Sequence, residues 1–504
     1  MKFLVCGILT LFIILSVIDL NKPGVTADQL LFVNAAIGPL DGSYIYKTIH
    51  GFPIFLMAYI GALKAYIYKP IFYLFGVSVD SIRLPVIFIM ASALLILYKA
   101  ISIRVDKKIA LFTILLLATD PSNIAYTRVD TGPTVLEFFF KCLSMFSLFL
   151  FFKTKKHKYL ILLIIFLGLG LFNKTNFVWF VNSLFLACLI FYRDKFKGKW
   201  TLFLGVCYIA FVSFSFIIFR IAATDYSAVA ISFSFVKLQQ NIVIVISNFL
   251  QLLGGEAFMQ FVYGRSPHNF TGIYAFLLIF INLLGIYFFI KNRKKISKET
   301  SKFYFFILVI FLATLIQLFM TQIAVSAWHA YAVYPFITIL TVVFLIQLQK
   351  KWIYSLFFLM VLYNLFTYSI YIKNYSQPVS NLSWNNKFYE LLEFTDSRLE
   401  SVLVTDISMQ TQFLLSKNYK KYTPIEWMID GKRSYDSYSV LQTYFSMNKN
   451  AIAVVPHPDY PVFKDIQPNL YRFIREYRYQ ADIIATFTDG DKIIYTVYKI
   501  TKPN

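Results

Sequence analysis

Two carboxylates, a lysine and an arginine stand where apolar segments end, a placement suited to group transfer at a membrane surface. Asp28 lies in NKPGVTADQLLFVN, just past the apolar run 3–19, and Asp130 lies in TRVDTGP, just past another. A carboxylate there can act as general base toward an acceptor hydroxyl or amine. The reaction needs a leaving group whose negative charge is already stabilised, and a polyprenyl phosphate is such a group. Lys174 in GLGLFNKTNF, together with Arg265, can bind a phosphate through Coulomb attraction and hydrogen bonds. His50, His268 and His329 are candidate substrate or metal contacts. Two carboxylates and a histidine can also hold a divalent cation that bridges phosphate oxygens.

Each residue has a plainer role beside this one. Thr26 and Asp28 precede an apolar run and read as a helix start. Asp130 can pair with Arg128 or cap the helix that begins at Thr131. Lys174 can snorkel from the end of a span to the headgroups. His50 reads equally as a surface residue, His329 as a packed residue at a span start, and Arg83 as an interface anchor.

The elements that position these residues are membrane spans. Of the 504 residues 58% are hydrophobic and 19% aromatic, with mean hydropathy +0.63, and several runs reach the length that a bilayer core requires. The chain is a polytopic α-helical membrane protein. Cys6, Cys142, Cys188 and Cys207 all lie in apolar segments, where a buried free thiol is expected. The first segment lacks a small-residue cleavage site and reads as a retained span.

The net charge of +22 is gathered in short loops at 104–108, 153–158, 193–199, 291–302 and 349–351. Short basic loops beside spans mark the cytoplasmic side and argue against nucleic acid as the partner. Placing every such loop inside gives about eleven spans: 3–19, 84–102, 109–127, 134–152, 159–173, 177–192, 200–220, 272–290, 303–323, 329–348 and 352–372. Residues 20–83 then form an outer loop. The apolar stretches 51–75 and 229–253 are expected in the plane of the interface, because a crossing at 51–75 would turn basic loops outward. In this arrangement Asp28, His50, Asp130, Lys174, Arg265 and His268 share the outer face.

Past residue 375 the composition becomes polar. SVLVTD at 401–406 reads as a buried strand ending in Asp406, the following segment has helical spacing, and AIAVVPHPDY reads as a strand and a turn. Residues 482–500 read as a hairpin around Asp489-Gly490. The order predicts a small α/β extracytoplasmic domain over 376–504, after a membrane domain over 1–375. His457 and Asp459 read as loop polars there.

The order of these motifs resembles the GT-C fold, and specifically the family 39-type glycosyltransferases, which include bacterial lipid A aminoarabinose transferases and protein O-mannosyltransferases. The resemblance rests on Asp28 after the first span, on LFGVSVDSIRLP, on LLLATDPSNIAYTRVDTGP and on GLGLFNKTNF. It implies transfer from a polyprenyl-phosphate-linked sugar to a lipid, glycan or protein acceptor outside the cytoplasmic membrane. It implies that Asp28 is the base, Asp130 the second outer-loop acid and Lys174 a donor-phosphate contact. WHAYAVYPF, with His329, resembles a His-bearing span of bacterial members. Gln29 stands where relatives often have a second acid, and His50-Gly51 where aminoarabinose transferases have a Glu-Lys pair. A lipid or polysaccharide transporter and a non-catalytic membrane scaffold are the competing readings. A transporter would carry repeats and polar residues near the midplane.

Overall fold

The structure is a computed structural model that describes residues 1–37, 47–57, 59–196, 199–225, 235–292, 294–321, 327–379, 384–405, 411–416, 418–424, 437–448, 451–456 and 466–502. Asp406, His457 and Asp459 lie outside the described residues.

Helix α1 (Lys2–Val17) leads through a tight loop to α2 (Ala27–Ile37). A small antiparallel sheet follows, of β1 (Lys47–Ile49), β2 (Phe52–Met57) and β3 (Ile60–Gly61), and then α3 (Leu63–Phe75). The helical body runs through α4 (Val79–Arg104), α5 (Lys107–Thr119), α6 (Pro121–Val129), α7 (Thr134–Thr154), α8 (Lys158–Asn173), α9 (Val178–Tyr192) and α10 (Lys199–Asp225). It continues in α11 (Phe235–Gly254), α12 (Ala257–Tyr263), α13 (Thr271–Lys291), α14 (Lys298–Phe319), α15 (Ala327–Ala330), α16 (Tyr334–Gln347) and α17 (Trp352–Asn374).

Among the described residues, length and hydropathy qualify 8 helices as candidate membrane spans, or 9 if α5 and α6 count as one span bent by 63°. This criterion accounts for fewer segments than the expected eleven. Helices α1, α8 and α16, of 16, 16 and 14 residues, are shorter than the roughly 20 residues a bilayer core asks for. The break between α5 and α6 is built by Asp120, whose carboxylate caps Asn123 N–H at 2.7 Å, and by Pro121 at the first helical position.

The stretch 51–75 forms a hairpin strand and a 13-residue helix, too short to cross. The stretch expected in the plane at 229–253 holds α11, which is long and apolar enough to cross. It packs against α13 and α14. Asn241 donates to the Phe319 carbonyl at the end of α14, and Gly254 packs on Thr271 at the start of α13. The basic turn after residue 291 joins the opposite ends of those two helices.

The C-terminal part contains α18 (Lys387–Asp396), β4 (Ser401–Val404), β5 (Tyr422–Pro424), α19 (Ser437–Met447), β6 (Ala451–Pro456), α20 (Ile466–Glu476), β7 (Gln480–Asp489) and β8 (Lys492–Thr501). The strands order as β5-β4-β6-β8-β7, parallel across the first three and antiparallel across the last three. The expected strands and hairpin are present. Of the segment with helical spacing, the described residues include a short 3-10 turn, Thr411–Leu415. The main apolar core runs without interruption from the helices into one face of this sheet, and a second cluster around Leu403, Phe445 and Phe473 covers the other face.

Candidate active site

Asp28 stands in the first turn of α2, and its position is set by the loop before it. Two buried arginines gather the carbonyls of that loop. Arg83 on α4 donates to Leu20, Pro23 and Gly24 carbonyls and to Gln29 Oε1 at 3.1 Å. Arg128 on α6 donates to the Ile18, Asp19 and Lys22 carbonyls. Each buried guanidinium spends its two terminal nitrogens on oriented oxygens, while its Nε has no hydrogen-bond partner among the described residues. Arg83 is therefore a structural hub of the segment between α1 and α2. Arg128 does not pair with Asp130.

The capping role foreseen for Asp28 is performed by its neighbour. Gln29 Oε1 accepts from Thr26 N–H at 3.4 Å, the back-bond of a capping box. The Asp28 carboxylate is left for other work. It keeps part of its surface accessible although protein surrounds it, as a group lining a pocket does.

Around Asp28 gather residues from four further segments. Asp130 sits in a left-handed turn with φ 37°, followed by Gly132 at φ 68°. One carboxylate oxygen accepts Val135 N–H at 2.9 Å and starts α7. The other lies 2.6 Å from Lys64 Nζ, which rises from the first turn of α3. Lys64 also lies over the ring of Phe32, 4.6 Å from its centroid. On α7, Glu137 and Lys141 pair at 2.7 Å, and Lys141 donates to the Ala332 carbonyl at 3.1 Å.

Lys174 follows α8 and is fixed through its backbone. Ile60 of β3 bridges to it, and Thr175 N–H donates to the Tyr59 carbonyl at 2.9 Å. Its Nζ lies 3.9 Å from where a Cβ on Gly132 would stand. Among the described residues it makes no ion pair within 4.0 Å, unlike Lys64 and Lys141. It does lie close enough to Glu137, Asp28 and Asp130 to be influenced by their charge.

Burial is the largest influence on all three groups. It raises the Asp28 carboxyl above the usual carboxylate range, against the pull of Lys174 and then Lys64. It raises Asp130 likewise, with Lys64 opposing it first. It lowers Lys174, which Glu137 and Asp28 counter. Among the described residues the cluster thus balances three buried lysines against three carboxylates, with one lysine and one carboxylate outside any ion pair.

The other expected site residues divide. His329 joins the cluster: Lys174 acts on its charge, and its buried Nδ1 has no hydrogen-bond partner. His50 stands exposed at the β1–β2 turn, away from the gathered residues. Arg265 is exposed and lies over Tyr263. His268 bonds Thr367 at 2.9 Å and packs against Tyr363 and Phe366, a structural tie between α17 and the loop before α13. The second and third cations of the site are Lys64 and Lys141. The sequence carries a signal for them: ionisable residues inside otherwise apolar segments, with Glu137 and Lys141 four apart on one helix face.

Of the carboxylates suggested for a divalent cation, Asp130 is otherwise engaged here. The Asp130 oxygens are taken by an ammonium and a backbone N–H. Among the described residues no three His, Cys, Asp or Glu side chains converge.

Comparison with known proteins places this architecture. The family model for dolichyl-phosphate-mannose-protein mannosyltransferase matches residues 61–219. ArnT from Cupriavidus metallidurans bound to undecaprenyl phosphate superposes with TM-score 0.56 at 12% identity, over 99% of this chain and 97% of that one. The Archaeoglobus fulgidus oligosaccharyltransferase in complex with Zn and sulfate gives 0.52 at 14% identity, over 97% of this chain and 72% of that one. The archaeal oligosaccharyltransferase AglB from the same organism, with an inhibitory peptide and a dolichol-phosphate, gives 0.51 at 12%, over 98% and 74%. No curated protein sequence matches. The chain has the GT-C fold.

Proposed function

We propose that this chain is a membrane glycosyltransferase that moves a sugar from a polyprenyl-phosphate donor to a cell-envelope acceptor. The observation that carries the reading is the placement of Asp28 and Lys174 in one buried cluster, each within reach of the other's charge. The acceptor hydroxyl or amine attacks the anomeric carbon, and its proton passes to the Asp28 carboxylate. The bond from that carbon to the phosphate oxygen breaks, and the phosphate leaves with the electron pair. Lys174, which has no ion pair of its own among the described residues, meets that charge. Asp130 holds Lys64 beside it. ArnT and AglB, bound to undecaprenyl phosphate and dolichol-phosphate, support a lipid phosphate as the leaving group.

The basic turns support an outward-facing site. Helix α7 begins at the cluster with Glu137 and ends toward the basic run 153–158. In this reading residues 1–375 form the catalytic membrane domain, and 376–504 an extracytoplasmic domain. The test is Asp28→Asn in membranes supplied with radiolabelled polyprenyl-phosphate sugar and envelope acceptors. Transfer falls at least about 100-fold, the usual worth of a positioned base. Undiminished transfer removes Asp28 as the base.

A further inference from the structure

Helix α10 is the least supported of the span-length helices. It has 27 residues, yet only 6% of its most apolar window is buried. One stacked pair, Phe185 on Tyr208 with ring centroids 4.0 Å apart, ties it to α9. Beside that contact an apolar cavity of about 150 Å³ remains, lined by Leu163, Leu167, Val181, Leu184, Cys188 and, at its end, Arg193. Dispersion attraction is forfeited along such a gap unless something fills it.

Two features name the filler. The lining on α9 runs from Val181 to Arg193, about 18 Å at the helical rise, close to the roughly 15 Å depth of one leaflet's hydrocarbon. The mouth carries an unspent cation: Arg193 is exposed and has no ion pair among the described residues, whereas Lys195 is taken by Asp194 at 3.3 Å. The mouth also lies at the opposite end of α9 from Lys174. It is therefore separate from the cluster around Asp28.

We infer that this cleft binds one acyl chain of an anionic phospholipid, with the phosphate at Arg193, and that the chain completes the packing of α10. The inference stands apart from the proposed activity. The probe is phosphatidylglycerol against phosphatidylcholine of identical chains, each added to the delipidated full-length protein and followed by native mass spectrometry. The wild-type protein retains phosphatidylglycerol about fivefold better, the effect of one basic residue at a membrane surface. Arg193→Gln, at an exposed position that folding does not need, brings the two lipids level. Leu184→Trp fills the cleft and lowers retention of both. Equal retention of the two lipids by the wild type overturns the inference. So does an undiminished preference in Arg193→Gln, or undiminished retention in a folded Leu184→Trp.

Discussion

The ammonium of Lys64 lies 2.6 Å from a carboxylate oxygen of Asp130, and both side chains are 2% exposed. Lys64 belongs to α3, in the segment before α4, and Asp130 to the turn before α7. The pair therefore fastens that segment to the helical body at the floor of the candidate site. Removing either partner leaves an uncompensated buried charge, which costs about 3–5 kcal/mol. Lys64→Met and Asp130→Asn each lower the thermal midpoint in detergent. The double variant recovers much of the loss, since neither charge is then stranded. A double-mutant cycle on thermal unfolding measures this, and additive losses would show that the two groups do not interact.

The acid limb of the pH–rate profile reports the base. Burial holds the Asp28 carboxyl above the ordinary range, and Lys174 and Lys64 pull it back down. The base works only when deprotonated, so activity rises as pH climbs through its pKa. Lys174→Met removes one downward influence, so the carboxyl keeps its proton to higher pH. The limb moves to higher pH, and Lys174→Arg leaves it near the wild-type position. Residual transfer measured across pH checks both; a limb that stays still in Lys174→Met separates the two groups.

Close approach of β3 to the end of α8 demands a glycine. A Cβ on Gly61 would lie 1.8 Å from the Phe172 carbonyl oxygen, inside any allowed contact. The same approach gives the Ile60–Lys174 bridge and the Thr175 N–H bond to Tyr59. Gly61→Ala must push these segments apart and carry Lys174 with them. The expected outcome is loss of transfer with a lowered thermal midpoint, whereas Gly51→Ala, at an open hairpin turn, leaves transfer near wild type. Gly51 has φ 79°, so that control also loses a little stability through strain confined to the hairpin.

Much of the fold was legible because apolar runs and basic turns are one-dimensional signals. Asp28, Asp130 and Lys174 could be grouped because each follows the end of an apolar run, which topology alone brings to one face. Lys64 could not be grouped with them from the sequence, because a lysine in GALKAYIYK is compatible with snorkelling and with burial alike. Only the turn geometry at Asp130 decides between them. Arg265 and His268 stand apart from the cluster because local contacts take them up, Arg265 over Tyr263 and His268 on Thr367. Arg83 and Arg128 were missed as hubs because their partners are backbone carbonyls, which no residue type announces.

The last prediction concerns how the C-terminal part reaches the base. Gly24 N–H donates to the Trp384 carbonyl at 2.9 Å, and Gln412 Nε2 donates to the Val25 carbonyl at 2.5 Å. Val25 stands three residues before Asp28, on the loop that Arg83 holds from the other side. The loop is thus clamped between the helical body and the C-terminal sheet region. Gln412→Ala removes one clamp without touching the cluster. One hydrogen bond is worth about 0.5–1.5 kcal/mol, so kcat falls about two- to tenfold if the clamp orients Asp28. The KM for the lipid-linked sugar stays level, because Lys174 is untouched. Hydrogen exchange over residues 24–31 quickens in the same variant, a readout that needs no substrate. Unchanged exchange and unchanged kcat together would mean that the sheet region holds the loop by packing alone, through Trp384, and that Gln412 is dispensable to the base.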